Sequence, residues 1–278
     1  MSQVTNSNLP ALRIQQALSS NQRALESAMG RLATGQRIQS AADDAAGSAI
    51  GNRMTSRIRG LDMAVRNAND GMSLLQTADG ATQAMTEMLW RMKELAIQSA
   101  NDTNGQSDRD ALHAEFEDLQ SQLGAVIGNT EWNGTKVLSG EAGVSGSVEF
   151  HVGASSGDHF TVDMSTLDTG SLYDVMQSSV LISSQSDASA ALSSIDDAIS
   201  QLATTRSTWG AASNRLLHAA DNATNVSMNS AASRSRIMDA DYAQSTADLA
   251  RAMILSRAGS AMLSQANQQP VLVLALLR

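Results

Sequence analysis

Two adjacent carboxylates, Asp43 and Asp44, are among the residues whose types could support acid–base chemistry. Acid–base catalysis by a carboxylate pair requires that both groups reach the same substrate. Neighbouring residues of a helix project about 100° apart, so these two side chains do not share one substrate. They suit the first turn of a helix that begins near Ser40, where the helix dipole favours acidic side chains. The pair therefore predicts a helix start and not an active site.

The four histidines are scattered through the chain, and no HExxH or other ligand spacing connects them. They are His113, His151, His159 and His218. His151 and His159 could face each other across a predicted β-hairpin, and a plain surface pair is the interpretation favoured over a metal site. The chain has no cysteine, which excludes thiolate metal sites and disulfides. We therefore expect no catalytic residues, no metal and no cofactor.

The charge and the chain ends exclude two further classes. The net charge is −9 at pH 7, with mildly basic ends and an acidic middle, which argues against a nucleic-acid-binding surface. The apolar tail at residues 271–277 is far shorter than the roughly 20 residues that a membrane-spanning helix needs. The N-terminus lacks the basic and apolar segments of a cleavable signal. We expect no nucleic-acid partner and no membrane insertion.

The elements that position these residues are predicted to be long helices. Leu18, Leu25 and Leu32 recur every seven residues with Ile14 in the same seam, so one apolar stripe follows an N-terminal helix that ends near Gly35. A second line at intervals of seven predicts one long helix over residues 60–99. Its members are Leu61, Ala68, Leu75, Thr82, Leu89 and Ala96.

Three more helices are predicted beyond residue 100. Apolar periodicity indicates helices over residues 112–126, 186–233 and 239–267. The last of them carries a C-terminal seam of Leu249, Met253, Ile254 and Leu263.

The middle of the chain changes to a β pattern. Apolar residues alternate on both sides of GASSGD, which predicts a β-hairpin. They are Val148, Phe150, Val152, Phe160, Val162 and Met164. The stretch at residues 128–140, GNTEWNGTKVLSG, is predicted to be a loop.

These elements predict a mainly α protein. Its N- and C-terminal halves pair as a long antiparallel helical bundle or coiled coil, with a small β-hairpin insertion. We expect three parts: residues 1–41 plus 236–278 as a terminal-arm domain, 42–139 plus 186–235 as a helical rod, and 140–185 as a short variable segment. From the residues alone, two interpretations of the arms stay open: polymerisation elements, or the packed termini of a monomeric bundle.

Several stretches resemble bacterial flagellin in the same order and spacing. They are LATGQRIQSAADDAAGSAI, RIRGLDMAVRNANDGMSLLQTADGA, RMKELAIQSAN, NRLLHAADN, DADYAQSTADLARAMILSRAGSAMLSQANQQP and the closing VLALLR. The resemblance covers about residues 1–135 and 186–278. Because the segment between them is short, the chain resembles a short flagellin that lacks the outer variable domains.

The resemblance implies a structural protein, not an enzyme: a subunit that is secreted through the flagellar export channel and self-assembles into the extracellular filament used for swimming. It also implies as partners identical subunits, hook-associated junction and cap proteins, and a cytoplasmic export chaperone that binds the C-terminal arm. The alternative within the same fold is a hook–filament junction protein. An exported enzyme would need a catalytic cluster in 140–185, where none is seen.

The resemblance also implies roles for particular residues. The polymerisation seams would be Ile14, Leu18, Leu25, Leu32, Leu249, Met253, Ile254, Leu263, Leu272, Leu274, Leu276 and Leu277. Arg91, Leu95 and Glu115 match the patch that animal innate-immune flagellin receptors contact, a surface that the family also buries between subunits. Salt bridges between subunits would use Asp43 and Asp44 with Arg53, Arg57 or Arg59.

Overall fold

The computed structural model of the chain describes residues 7–164, 167, 170–177 and 179–276, the stretch 269–276 by its backbone alone. The described elements, in chain order, are α1 Leu9–Thr34, α2 Ala45–Ser99, α3 Gln106–Asn129, β1 Glu131–Trp132, β2 Thr135–Lys136, β3 Ser147–His151, β4 His159–Asp163, α4 Ser171–Met176, α5 Gln185–Met238 and α6 Tyr242–Leu276. The predicted mainly α fold with a small hairpin is confirmed.

The chain forms two compact units. The terminal unit contains residues up to 56 and from 229 onward, and the middle unit contains residues 57–228. The three-part division by assembly behaviour stays a prediction.

Helix α1 begins and ends as its residues dictate. The Asn8 side-chain oxygen accepts a hydrogen bond from the Ala11 N–H at 3.1 Å, and Pro10 lies in the first turn, where its missing N–H costs nothing. The helix ends at Gly35, whose φ of 69° is left-handed and whose N–H donates to the Arg31 carbonyl. The predicted stop at Gly35 is confirmed.

The predicted start of the second helix is wrong. Helix α2 begins at Ala45, and Asp44 caps it by accepting a hydrogen bond from the Gly47 N–H at 2.9 Å. Asp43 lies before the helix and accepts from the Ser40 N–H at 2.9 Å. An Asp side chain competes as well as Ser for the cap position, so composition alone did not select the correct residue.

The core of the middle unit follows the predicted heptad line. Every member of that line is buried, together with two rings from α3 and α5, Phe116 and Trp209. The Trp209 indole N–H donates to the Asp163 carbonyl at 3.2 Å, which attaches the end of β4 to α5. Long helices packed along one stripe therefore form this unit.

The predicted hairpin is confirmed as β3 and β4, which pair antiparallel with Val148 opposite Val162 and Phe150 opposite Phe160. The prediction of a plain loop at residues 128–140 is wrong. Strands β1 and β2 form a second, minimal hairpin there. Its turn is Asn133–Gly134 with positive φ at both residues, the sequence signal of a type I′ turn.

Candidate assembly interface

Helices α1 and α6 pair antiparallel in the terminal unit. The Asn8 side-chain amide donates to the Ala266 carbonyl at 2.9 Å, and the Asn21 amide donates to the Ala252 carbonyl at 2.8 Å. Position 270 is a proline inside α6, so the Ala266 carbonyl has no helical N–H four residues on. Asn8 therefore supplies the hydrogen bond that Pro270 cannot.

Close packing continues toward the other end of the pair. The Tyr242 hydroxyl donates to the Leu32 carbonyl at 3.2 Å. A Cβ atom at Gly259 would lie 2.4 Å from the Leu18 Cδ1, so only glycine permits this separation without movement of the leucine. The contacts fix one antiparallel register along the length of α1.

The segments that follow α1 and α5 are bonded to each other through their backbones. The Arg37 N–H donates to the Met238 carbonyl at 2.7 Å, and the Ala240 N–H donates to the Gly35 carbonyl at 2.9 Å. The Arg37 guanidinium also donates to the Ile237 carbonyl at 2.6 Å. The start of α6 is thereby held beside the end of α1.

The described side chains that this pair buries are small. They are Ala28, Ser245, Ala252 and Ala266. The predicted seam residues on α1, together with Leu249 and Leu263, are half-buried. Met253 and Ile254 are exposed instead, Ile254 by 67%. Leu277 lies outside the described residues, as do the side chains of Leu272, Leu274 and Leu276.

Large apolar side chains are left uncovered on the same two helices. We call them the exposed apolar surface: Leu9, Leu12, Met29, Met253, Ile254, Leu255 and Met262. Single exposed apolar residues are common, but several large ones on two paired helices favour a contact with a partner. This set is the candidate assembly interface.

The predicted salt-bridge residues do not form ion pairs with one another. Asp43 accepts backbone hydrogen bonds from Ser40 and Gln39, and these bonds lower the pKa of its carboxyl. Within the part of the chain that the structure describes, Arg53, Arg57 and Arg59 form no ion pair and are exposed. Their guanidinium groups remain available to carboxylates of another molecule.

Two of the three predicted receptor-patch residues are in contact. The Arg91 guanidinium lies 2.8 Å from the Glu115 carboxylate of α3 and 3.1 Å from that of Glu94. Its hydrogen bond to Glu115, and then that to Glu94, raises the pKa of Arg91. Leu95 is only 1% exposed. Arg91 and Glu115 therefore form surface, whereas Leu95 lies beneath it in the core.

Sequence reasoning missed a buried arginine. The Arg109 guanidinium donates to the Ser99 carbonyl at the end of α2 and to the Asn101 carbonyl at 3.1 Å. The Ser99 hydroxyl in turn donates to the Ile182 carbonyl at 2.5 Å. A signal existed, because Arg109 precedes the buried Phe116 by seven residues and so falls on the buried stripe of α3.

Gln120 is a second buried polar residue of α3 with a similar role. Its amide donates to the Val175 carbonyl at 2.8 Å and to the Val180 carbonyl at 3.1 Å. It lies seven residues before the buried Ile127. The two polar side chains hold irregular backbone against the helices, where carbonyl groups would otherwise lack donors.

Two kinds of site are absent from the described residues. No described helix is long and apolar enough to cross a membrane. No described group of three or more His, Asp or Glu side chains is placed to hold a metal ion.

The fold defines a class of long-helix proteins whose two ends pair and leave large apolar side chains exposed. Similarity to known proteins identifies the family within this class. Residues 5–142 match the bacterial flagellin N-terminal helical region, and residues 192–277 match the bacterial flagellin C-terminal helical region. The chain belongs to the flagellin family.

Individual relatives agree with this assignment. The flagellin of Halalkalibacterium halodurans is 40% identical, with 99% of this chain and all of the relative covered. The flagellin of Bacillus subtilis is 35% identical over 98% and 99% of the two chains. The 33 kDa flagellar filament core protein of Treponema phagedenis is 33% identical over 99% of this chain and all of the relative. The crystal structure of Bacillus cereus flagellin has a TM-score of 0.50 and 29% identity, covering 57% of this chain and 88% of that one.

Proposed function

We propose that the chain is the structural subunit of a helical bacterial flagellar filament, which it builds by self-assembly and which serves swimming motility. The observation that carries the proposal is the exposed apolar surface on the paired terminal helices of a flagellin-family chain. The relatives are named as flagellins and as a filament core protein, so the comparisons do not favour the hook–filament junction role.

Within the described residues, the terminal pair buries alanine-sized side chains, half-buries its leucines and leaves the exposed apolar surface in water. Covering each of those side chains contributes about 1.5–3 kcal/mol for full burial. A second copy that covers them through a different surface of its own makes a head-to-tail contact, and such contacts repeat without closing. A helical polymer results.

The finer parts of the proposal concern how subunits meet. Residues 1–41 and 236–278 form the inner arms, which order on assembly, and the acidic middle faces outward with the 140–185 segment. Contacts between subunits are supported by three arginines that are exposed and without ion pairs within the described residues: Arg53, Arg57 and Arg59. They form salt bridges with carboxylates of neighbouring subunits.

The same reasoning assigns further partners and a location. The protein is exported and lies in the extracellular flagellum. A cytoplasmic chaperone covers the C-terminal arm before export, and junction and cap proteins contact the arms at the filament ends. The family is structural, and we propose that the chain has no enzymatic activity and needs no cofactor for assembly. Arg91 and Glu115, with Leu95 below them, form a patch that an animal innate-immune receptor binds.

The test compares the full chain with a version that lacks residues 240–278, which removes all of α6. Both are incubated with short filament fragments and examined by negative-stain electron microscopy. We expect long uniform tubes from the full chain alone. Trp209 fluorescence checks that the truncated chain keeps a folded middle unit, because this indole is buried there.

Two outcomes would overturn the proposal. Tubes of equal length from the truncated chain would show that the exposed apolar surface of α6 is not needed. If the full chain forms no tubes but binds the ends of isolated hook fragments, the junction role replaces the filament role.

A further inference from the structure

The outward face of the β3–β4 hairpin brings two histidines together. His151 and His159 are directly opposite each other in the antiparallel register. Phe150 and Val162 point to the other face and are buried, so both imidazoles lie on the solvent side. Side chains directly opposite on one face have Cβ atoms about 4.5–5.5 Å apart. Two imidazoles at this spacing can reach one ion.

Residues opposite each other in antiparallel strands either exchange backbone hydrogen bonds or do not, and pairs of the second kind have the closer side chains. The surrounding hydrogen bonds show that His151 and His159 form a pair of the second kind. The Val152 N–H donates to the Asp158 carbonyl at 2.9 Å, whereas the His159 N–H donates to the Gly157 carbonyl and not across the strands. The His151 carbonyl accepts instead from the Asn67 amide at 3.0 Å. A pair without mutual backbone bonds has its Cα atoms about 4.5 Å apart, with its side chains closest.

A carboxylate lies behind one of the two rings. The Glu149 Oε1 atom is 3.7 Å from the Nδ1 atom of His159. Glu149 is opposite Thr161, so it contacts His159 on the diagonal of the same face. This separation is longer than a hydrogen bond, but it places a negative charge beside the imidazole pair, where it favours a bound cation.

The hairpin is held in place by the helices of the middle unit. Phe150 is in contact range of Gly71 on α2, where an added Cβ would lie 3.0 Å from the ring. The Arg215 guanidinium of α5 stacks 4.2 Å above the Phe160 ring. With the Asn67 bond to His151, these contacts fix both strands from below. The backbone positions of the two histidines are therefore fixed before any ion binds.

We propose that His151 and His159 chelate one divalent transition-metal ion on the outer face of the hairpin, beside the Glu149 carboxylate. Imidazole pairs suit Cu²⁺, Ni²⁺ and Zn²⁺, and the general order of affinities puts Cu²⁺ first. No described group of three His, Asp or Glu residues is placed to bind a metal, so water or buffer completes the coordination. The site is independent of the filament role.

The test is a titration of CuCl₂ into the full-length chain in a non-coordinating buffer. Calorimetry measures the affinity and stoichiometry, and electron paramagnetic resonance identifies the ligand atoms. We expect one ion per chain, with nitrogen hyperfine lines from two imidazoles. Two ligands held on one rigid site bind at least about a hundredfold more tightly than one. His151→Gln and His159→Gln should each lose about that factor, and Glu149→Gln should lose less than either, because it removes only a neighbouring negative charge.

The matched control is His218→Gln, which removes an exposed histidine of α5 in the same unit. It should leave the affinity unchanged. Trp209 fluorescence reports hairpin docking in each variant, since this indole donates to the end of β4. Equal affinity in the wild type and the two hairpin variants would overturn the proposal, as would an equal loss in His218→Gln. A spectrum with one bound nitrogen would do so as well.

Discussion

Replacing Ile254 by alanine should weaken filament growth without destabilising the free subunit. Ile254 is the most exposed large apolar residue described on α6, at 67%. Exposed substitutions usually change the free energy of unfolding by less than about 0.5 kcal/mol. Alanine is also the better helix former. The free chain should therefore keep its α1–α6 pair, and any effect should appear on assembly.

The size of the effect follows from the area that remains to be covered. Full burial of an isoleucine contributes about 1.5–3 kcal/mol, and two-thirds of that side chain is still exposed in the free chain. If a neighbouring subunit covers it, alanine should reduce the free energy of adding a subunit by about 1–2 kcal/mol. A change of about 1.4 kcal/mol is tenfold in an equilibrium constant. The critical concentration should rise about 5- to 30-fold.

The critical concentration is measured by pelleting seeded filaments and determining the protein left in solution at several total concentrations. Val144→Ala is the control, because Val144 is 81% exposed but lies in the middle segment expected on the filament exterior. Its critical concentration should not change. The reasoning is refuted if Ile254→Ala leaves the critical concentration within twofold of the wild type, or if both variants raise it equally.

Three further predictions test the contacts within the subunit. In a double-mutant cycle, Asn8→Ala should speed amide exchange in α6 in the wild-type background. Its effect should be much smaller beside Pro270→Ala, because that alanine restores the helical N–H. Equal effects in the two backgrounds would contradict the pairing of Asn8 with Ala266. The pKa of Asp43 is lowered mainly by backbone hydrogen bonds from Ser40 and Gln39, so its carboxylate stabilises the turn above the unfolded pKa near 3.8, and this is lost as pH falls through the lowered value. Asp43→Asn should therefore lower the melting temperature at pH 7, and the difference from the wild type should shrink as the pH falls below 3.8. Arg109→Met should lower the free energy of unfolding by about 3 kcal/mol, measured by urea unfolding with tryptophan fluorescence, because it removes two charge-assisted bonds from a buried site. Arg206→Met breaks a half-exposed pair with Asp79 and should lower it by about 1 kcal/mol or less. Equal losses in the two variants would contradict this difference between buried and exposed partners.

The long helices could be predicted because each buries a repeating stripe. The heptad line from Leu61 to Ala96 is buried at every position, and the stop at Gly35 follows from the left-handed backbone that glycine tolerates. The β3–β4 hairpin could also be predicted, because apolar residues at every second position over five residues are typical of a strand and not of a helix. In each case one local periodicity decided the element.

Features that depend on one particular contact within the fold could not be predicted from the sequence. Arg109 occupies a stripe position that periodicity assigns to an apolar side chain, and only the fold shows the two carbonyls that it satisfies. Leu95 was assigned to a surface patch by resemblance, but the heptad geometry of α2 places it in the core of the free subunit. Helix α6 was expected to end at about residue 267, yet it continues past Pro270. An asparagine distant in sequence explains how the broken hydrogen bond is tolerated there.

Among the described residues, the terminal pair buries alanine-sized side chains and leaves its leucines half-buried. Ala28, Ala252 and Ala266 each bury little more than one methyl group, worth about 0.8 kcal/mol. Ordering a residue costs about 1–2 kcal/mol in backbone entropy, so we expect the pair, with helices of 26 and 35 residues, to gain stability from further burial. Neighbouring subunits would supply the missing burial through the exposed apolar surface. We therefore expect amide protection in α1 and α6 to rise steeply on assembly while α3 changes little. Equal protection of α1 and α6 in the free subunit and in the filament would show that the pair is stable alone.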